Sequence, residues 1–182
     1  MRGLCYNGLE REVALAVLPL RLLPDPVLRQ RTRRVARIDG TLQALIQDMI
    51  ETMRSVNGVG LAANQVGHNI RVCVIQIPEE GFMRVLINPE VLSRSGEREV
   101  EEGCLSLPGY RGLVKRSQRV RVRALDKKGK PFTITAEDDL LAQALEHETD
   151  HLNGLLYIDR LVRKDAIWKM EEPEPPPPAQ PS

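Results

Sequence analysis

One stretch constrains the fold more than any other. Between Asp138 and Leu152 an apolar stripe of Leu141, Ala144 and Leu145 runs on into His147, Glu148 and His151 before Leu152 resumes it. In a helix the two imidazoles, four residues apart, project from one face, with Glu148 beside them on the wheel. Three ionisable groups are thereby aimed at the core. Burying even one unpaired charge is costly, so a fold containing this helix has to compensate all three. A divalent cation does so, by taking both imidazoles as ligands and lowering the cost of keeping Glu148 ionised. The same string on a solvated face would mean nothing; its place on the apolar stripe gives it weight.

Two histidines leave such an ion short of donors, and an open catalytic site needs a third protein ligand. The candidates are Cys5, Cys73, Cys104, His68 and scattered carboxylates. Cys73, between Val72 and Val74, reads as a small packed hydrophobe, and Cys5 as a bystander in a loosely held segment. Cys104 differs, because it follows a strand in Glu102-Gly103-Cys104-Leu105-Ser106, where Gly103 allows a sharp bend that aims the thiol inward; a purely structural thiol is the alternative. Cys104, His147, His151 and a water make an open tetrahedral set in which the ion brings the water's pKa toward neutrality, and this points to hydrolysis.

The rest of the chain sets the context. Its 182 residues are 42% hydrophobic and 28% charged, enough for one domain with a core that needs no disulfides. Three scattered cysteines argue for a reducing compartment. No run of about 18 apolar residues is present to span a membrane, and Glu10, Arg11 and Glu12 interrupt the N-terminal stretch that would otherwise suggest a leader. The segment after Lys169 holds six of the 13 prolines and three acids with no base, which reads as an extended, disordered tail. Without those acids, 26 basic residues face 22 acidic ones, so the body is mildly basic. Much of that charge lies in Arg29, Arg31, Arg33, Arg34 and Arg37, a solvated face or a surface for an anionic partner.

Leu42, Leu45, Ile46, Met49, Ile50 and Met53 predict a helix over Gly40–Ser55, stopped by Asn57-Gly58. Strands are expected at Ile70–Ile77, Arg84–Asn88, Arg98–Glu101 and Arg119–Leu125, with a Lys-Gly turn into Pro131–Thr135. The second helix stops at Asn153-Gly154. This order predicts an α+β fold, with antiparallel or mixed sheets packed around a central metal-binding helix in a single domain over residues 18–168. Residues 1–17 form an N-terminal extension and 169–182 the tail. Between the first helix and first strand, Gly58 and Gly60 permit positive φ and close backbone approach, Ala62 and Ala63 take little room, and Gln65 offers an amide donor. No Lys-Ser/Thr follows, so this is not a phosphate loop.

Together the Gly58–Gln65, Glu102–Ser106 and His147–His151 segments resemble, in order, the GxGLAAxQ loop, EGCLS strand end and metal-binding helix of the bacterial-type peptide deformylase family. The resemblance runs from about Leu20 to Leu161. It implies removal of the formyl group from N-formylmethionyl nascent chains, with one divalent metal ion: Fe(II) natively, with Zn(II), Ni(II) or Co(II) able to replace it. It makes Cys104, His147 and His151 the ligands and Glu148 the proton carrier, with the Gln65 amide and Leu105 N–H at the formyl oxygen. It implies substrate contacts from Gly58, Gly60 and Gly103, a methionine pocket of Val59, Val100, Leu140, Ala144 and His147, orienting roles for Glu102 and Asp150, and a substrate contact for Arg111, whose alternative is a solvent-facing side chain. Nothing in the sequence suggests an obligate interface, so a monomer is the default, expected in the bacterial cytoplasm, or in an organelle if residues 1–17 are a leader. The resemblance implies transient ribosome contact, with no membrane association and no direct reading of nucleic acid. The chain departs from the family pattern at Asn64, at Gln143 on the pocket rim, and in ending on an acidic tail where many relatives carry a basic helix, so docking through that helix is not implied. An endopeptidase of the HExxH kind would need a third His or a downstream Glu after the motif. A non-catalytic metal-stabilised binding domain would need four protein ligands and would have no use for Glu148 or Gln65.

Overall fold

The computed structural model describes residues 16–171. Asp39 starts α1 (Gly40–Ser55) by accepting the Leu42 N–H at 3.1 Å, and the helix gives out before Asn57, whose φ of 52° is left-handed. Leu42, Ile46, Met49, Ile50 and Met53 are buried along it, with Leu45 half-buried at the margin.

The chain then lays down β1 (Gly60–Ala62), β2 (Val72–Gln76), β3 (Met83–Ser95), β4 (Arg98–Cys104), β5 (Leu107–Arg116), β6 (Arg119–Leu125) and β7 (Pro131–Glu137). The second helix, α2 (Leu140–Leu152), follows, and β8 (Ile167–Lys169) comes last. They form two antiparallel sheets, ordered β1-β2-β3-β6-β7 and β4-β5-β8. The apolar run of β2 is buried on both faces: Val72 and Val74 meet α1, whereas Cys73 and Ile75 meet α2. The five-stranded sheet is thus a layer between the two helices. The smaller sheet closes over the far side of α2, bringing Glu102 from β4 and Arg116 from β5 against it.

Of the 13 residues of α2, ten are buried, and the three that are not are Leu140, Gln143 and His147. Their i, i+3, i+7 spacing makes one open stripe on an otherwise enclosed helix.

Several sequence expectations are corrected. β3 continues beyond Asn88 to Ser95, carried past an irregular register between Ile87 and Glu90 by pairing with β6. β5 was not expected, since Gly109, Gly112 and Lys115 interrupt any apolar alternation, and β1 and β8 are only three residues long. Strand pairing runs on past residue 168: Lys169 pairs with Tyr110, and the Met170 N–H donates to the Gly109 carbonyl at 2.7 Å. At the other end, Ala16 and Leu18 donate their N–H groups to Asp48 and Thr52 of α1. Residues 1–15, including Cys5, and the tail from residue 172 lie outside the described residues. No described helix is long and apolar enough to cross a membrane.

Candidate metal centre

Asp139 caps α2 by accepting the Ala142 N–H, and the helix carries His147 and His151 on one face. Their Nε2 atoms lie 3.2 Å apart, and Cys104 Sγ lies 3.2 Å from His151 Nε2. All three donor atoms fall within 4.8 Å of one another. Cys104 reaches them from the end of β4, where the register with β5 slips between Gly103 and Cys104. This bulge, not a left-handed Gly103, makes the turn. His68 is exposed and Cys73 packs in the core; neither joins the set.

The donors fit a divalent cation. One thiolate and two imidazoles that converge from separate elements make a three-ligand set with one position open. Charge is arranged to suit it. Burial pushes the Cys104 thiol up, but the neighbouring His151 and His147 imidazoles outweigh it and hold the group well below the ordinary thiol range. Burial lowers His147, but Cys104 and Glu102 raise it further.

Glu102 orients His147 by hydrogen bonding to its Nδ1 at 2.8 Å. Arg116 in turn holds Glu102 through two bonds, Nε to Oε1 at 2.7 Å and Nη2 to Oε2 at 2.9 Å, and reaches Asp150 with Nη1. Arg160 holds Asp150 from the other side at 2.8 and 3.1 Å. Burial alone would raise Glu102, but the bonds from Arg116 and His147 bring it down to about 2.

Glu148 is 3% exposed, and its Oε2 has no hydrogen-bond partner among the described residues. Burial, the largest influence, raises its pKa against the pull of the two imidazoles. Gly60 makes room for it, since a Cβ there would stand 2.8 Å from the Glu148 carboxyl carbon. Neither Gly58 nor Gly60 uses positive φ; what matters at both is the missing side chain, and a Cβ on Gly58 would press on Leu105 and Met53.

Gln65 is held by the Ala62 N–H on its Oε1 at 2.8 Å, which turns its amide nitrogen toward Ser106 Oγ at 3.2 Å and Cys104 Sγ at 3.7 Å. Gln65 and Cys104 border a cleft of about 430 Å³ between β1 and β4, each the outermost strand of its sheet. Gly58, Val59, Gly60, Gln65, Glu102, Gly103, Cys104, Leu105, Arg111, Leu140, Ala144, His147 and Glu148 all line it. Val100 does not. It stands two residues before Glu102 on the same face of β4. His151 lies behind the cleft, 1% exposed.

Sequence reasoning missed three residues. Arg116 looks like any other base in a basic stretch; the signal for it was the need of buried Glu102 and Asp150 for a cation. Ser106 is buried, sends its N–H to Cys104 Sγ at 3.4 Å and accepts from Gln65. Asn64 ties the β1 loop to the end of α2, its amide donating to the His151 carbonyl at 2.7 Å.

The family model for polypeptide deformylase matches residues 17–166. A peptide deformylase of Dehalococcoides mccartyi is 49% identical over 148 residues, covering 81% of this chain and 88% of the relative. One from Heliobacterium modesticaldum is 48% identical, covering 81% and 95%. Among solved structures, a peptide deformylase from Legionella pneumophila superposes with a TM-score of 0.78 at 48% identity, over 80% of this chain and 86% of that one. One from Synechococcus elongatus in complex with actinonin gives 0.77 at 43%, over 81% and 82%. With sequence, fold and the Cys-His-His cluster in agreement across the domain, the chain belongs to the polypeptide deformylase family.

Proposed function

We propose that Cys104, His147 and His151 hold one divalent cation and that Glu148 carries the proton as the enzyme hydrolyses the formyl group from the N-terminal formylmethionine of newly made polypeptides. The observation that supports this best is the convergence of three donors beside a buried carboxylate with an unpartnered oxygen, in one open cleft. When bound, the ion would acidify a water and polarise the formyl carbonyl.

The residues of the chain do the rest. Glu148 takes a proton as the water oxygen adds to the formyl carbon, and returns it to the amine nitrogen as the C–N bond breaks, giving formate and a free N-terminus. A carboxyl whose pKa is raised by burial suits both halves of that exchange. Negative charge gathers on the carbonyl oxygen, where the fixed Gln65 amide and the Leu105 N–H stabilise it. The substrate backbone lies as an added strand between β1 and β4, using Gly58, Gly60 and Gly103, where no side chain obstructs it. Val59, Leu140, Ala144 and the His147 ring enclose the methionine side chain. Glu102 and Asp150, locked by Arg116, keep His147 in one tautomer, and Arg111 at the rim meets a substrate carbonyl or carboxylate.

Fe(II) is the native ion in this reading, with Zn(II), Ni(II) and Co(II) as functional replacements, and the enzyme works as a cytoplasmic monomer in transient contact with the ribosome. Formate release from a formyl-Met peptide by metal-loaded protein, kept anaerobic, tests the reaction; undiminished activity in Glu148→Gln would refute the role of that residue. Elemental analysis paired with turnover before and after air exposure tests the metal.

A further inference from the structure

The cleft is polar at its floor and apolar at its mouth. Glu148 and Gln65 are 3% and 1% exposed, whereas Tyr110 and Leu140 are each 40% exposed and Met170 is 44% exposed. These three are among only nine large apolar side chains exposed in the described residues, and all three line this one cleft. Exposed apolar groups gathered at one opening mark a contact surface rather than scattered surface residues.

Met170 does not arrive there as a loose end. β8 pairs Ile167, Trp168 and Lys169 with Gly112, Arg111 and Tyr110, and the Met170 N–H extends the ladder to Gly109 O at 2.7 Å. The family match stops at residue 166, so this strand and the methionine it delivers lie past the part of the chain that the match covers.

We propose that Met170 is a specificity-determining contact for the side chains that follow formylmethionine in the substrate, favouring large apolar ones. This rests on the reading of the cleft as a formylmethionyl-peptide site. A peptide whose formyl end reaches Glu148 at the floor passes the mouth only with its later residues, and the apolar rim is what those side chains meet.

The test uses the metal-loaded full-length protein and compares formyl-Met-Ala with two series, formyl-Met-Xaa-Ser and formyl-Met-Ala-Xaa, where Xaa is Leu, Phe, Ser or Asp. In at least one series the wild type should prefer Leu and Phe through KM. Met170→Ala, and a chain ended after Lys169, should raise KM for those peptides about four- to fifteen-fold, the factor for one or two lost methylene contacts, with kcat unmoved. Met170→Leu should restore the preference, and a chain ended after Glu171 should keep it. A wild type indifferent to Xaa overturns the proposal, as does a Met170→Ala loss that falls equally on Ser and Leu peptides or in kcat. If no formylated peptide, formyl-Met-Ala included, releases formate, the deformylase reading falls as well; loss of the side-chain preference alone overturns only this inference.

Discussion

Replacing Arg116 with methionine strands a carboxylate in the core. The side chains of Arg116, Glu102 and Asp150 are each 2% exposed. Asp150 would keep Arg160, but Glu102 would be left with His147 alone. Two routes give the magnitude. Glu102 sits at about 2 against an ordinary 4.5 even though burial works the other way, and a carboxyl held that low contributes about 3 kcal/mol to stability at neutral pH. Removing one partner of a buried pair costs roughly 3–5 kcal/mol in general. We therefore expect a loss of about 3 kcal/mol, a large share of the 5–15 kcal/mol typical of a domain. Because the folded-state pKa is depressed, this stabilisation is complete above about pH 4.5 and is lost as pH falls toward 2. The difference between wild type and variant should narrow over the same range. Urea unfolding at pH 7 and through the acid range, on metal-free and metal-loaded protein, reads both effects. Adding Glu102→Gln to Arg116→Met should recover part of the loss, because the stranded charge is gone. A variant within about 1 kcal/mol of wild type at pH 7 would show that the buried network does not carry the weight assigned to it.

Three further outcomes are expected. Glu148→Gln should lower kcat/KM by about 10²–10⁴ while elemental analysis finds the metal content unchanged. Gly60→Ala should displace Glu148, since the new Cβ would meet its carboxyl carbon at 2.8 Å. Its kcat should fall on the order of 100-fold, with a cost in unfolding measurements of about 1–3 kcal/mol from overpacking. Chelation should abolish formate release and lower the melting temperature, because the ion binds only the folded arrangement of Cys104, His147 and His151; readdition of Fe(II), Ni(II) or Zn(II) should restore both.

The parts of this molecule that were legible in the sequence are those whose signal is local. Helical periodicity placed α1 residue for residue, and ionisable groups on an apolar stripe marked the face of α2 where His147 and His151 converge with Cys104. Cys104 was reachable because its local setting differs from that of Cys73. Where the meaning of a residue depends on what another strand brings beside it, the sequence was silent or misleading. Gly60 reads as backbone freedom, yet its use is as space for Glu148, which only the packing of β1 against α2 creates. Arg116 sits among Lys115, Arg119, Arg121 and Arg123, and nothing in that run says that one base is buried while the others are exposed. That difference is decided by the pairing of β5 with β4, and the glycines of β5 hide its strand character.

Of the three buried acids of α2, Glu148 is the one with an unpartnered carboxyl oxygen among the described residues. Glu146, Glu148 and Asp150 are 4%, 3% and 1% exposed, so all three are withdrawn from water. Glu146 is answered by Arg94 and by the Ser117 N–H and hydroxyl, and Asp150 by Arg116 and Arg160. The fold therefore sets arginines on the buried acid at either side of Glu148, whereas among the described residues none pairs with Glu148 itself. The result is two carboxyls two residues apart that are driven in opposite directions. Burial works to raise Asp150, but bonds from Arg160 and Arg116 bring it below its ordinary value, whereas burial raises Glu148 above its own. Asp150 is held toward its anionic form, and in the proposed reaction Glu148 is the carboxyl suited to accept a proton and give it back. That division of labour follows from where the arginines stand.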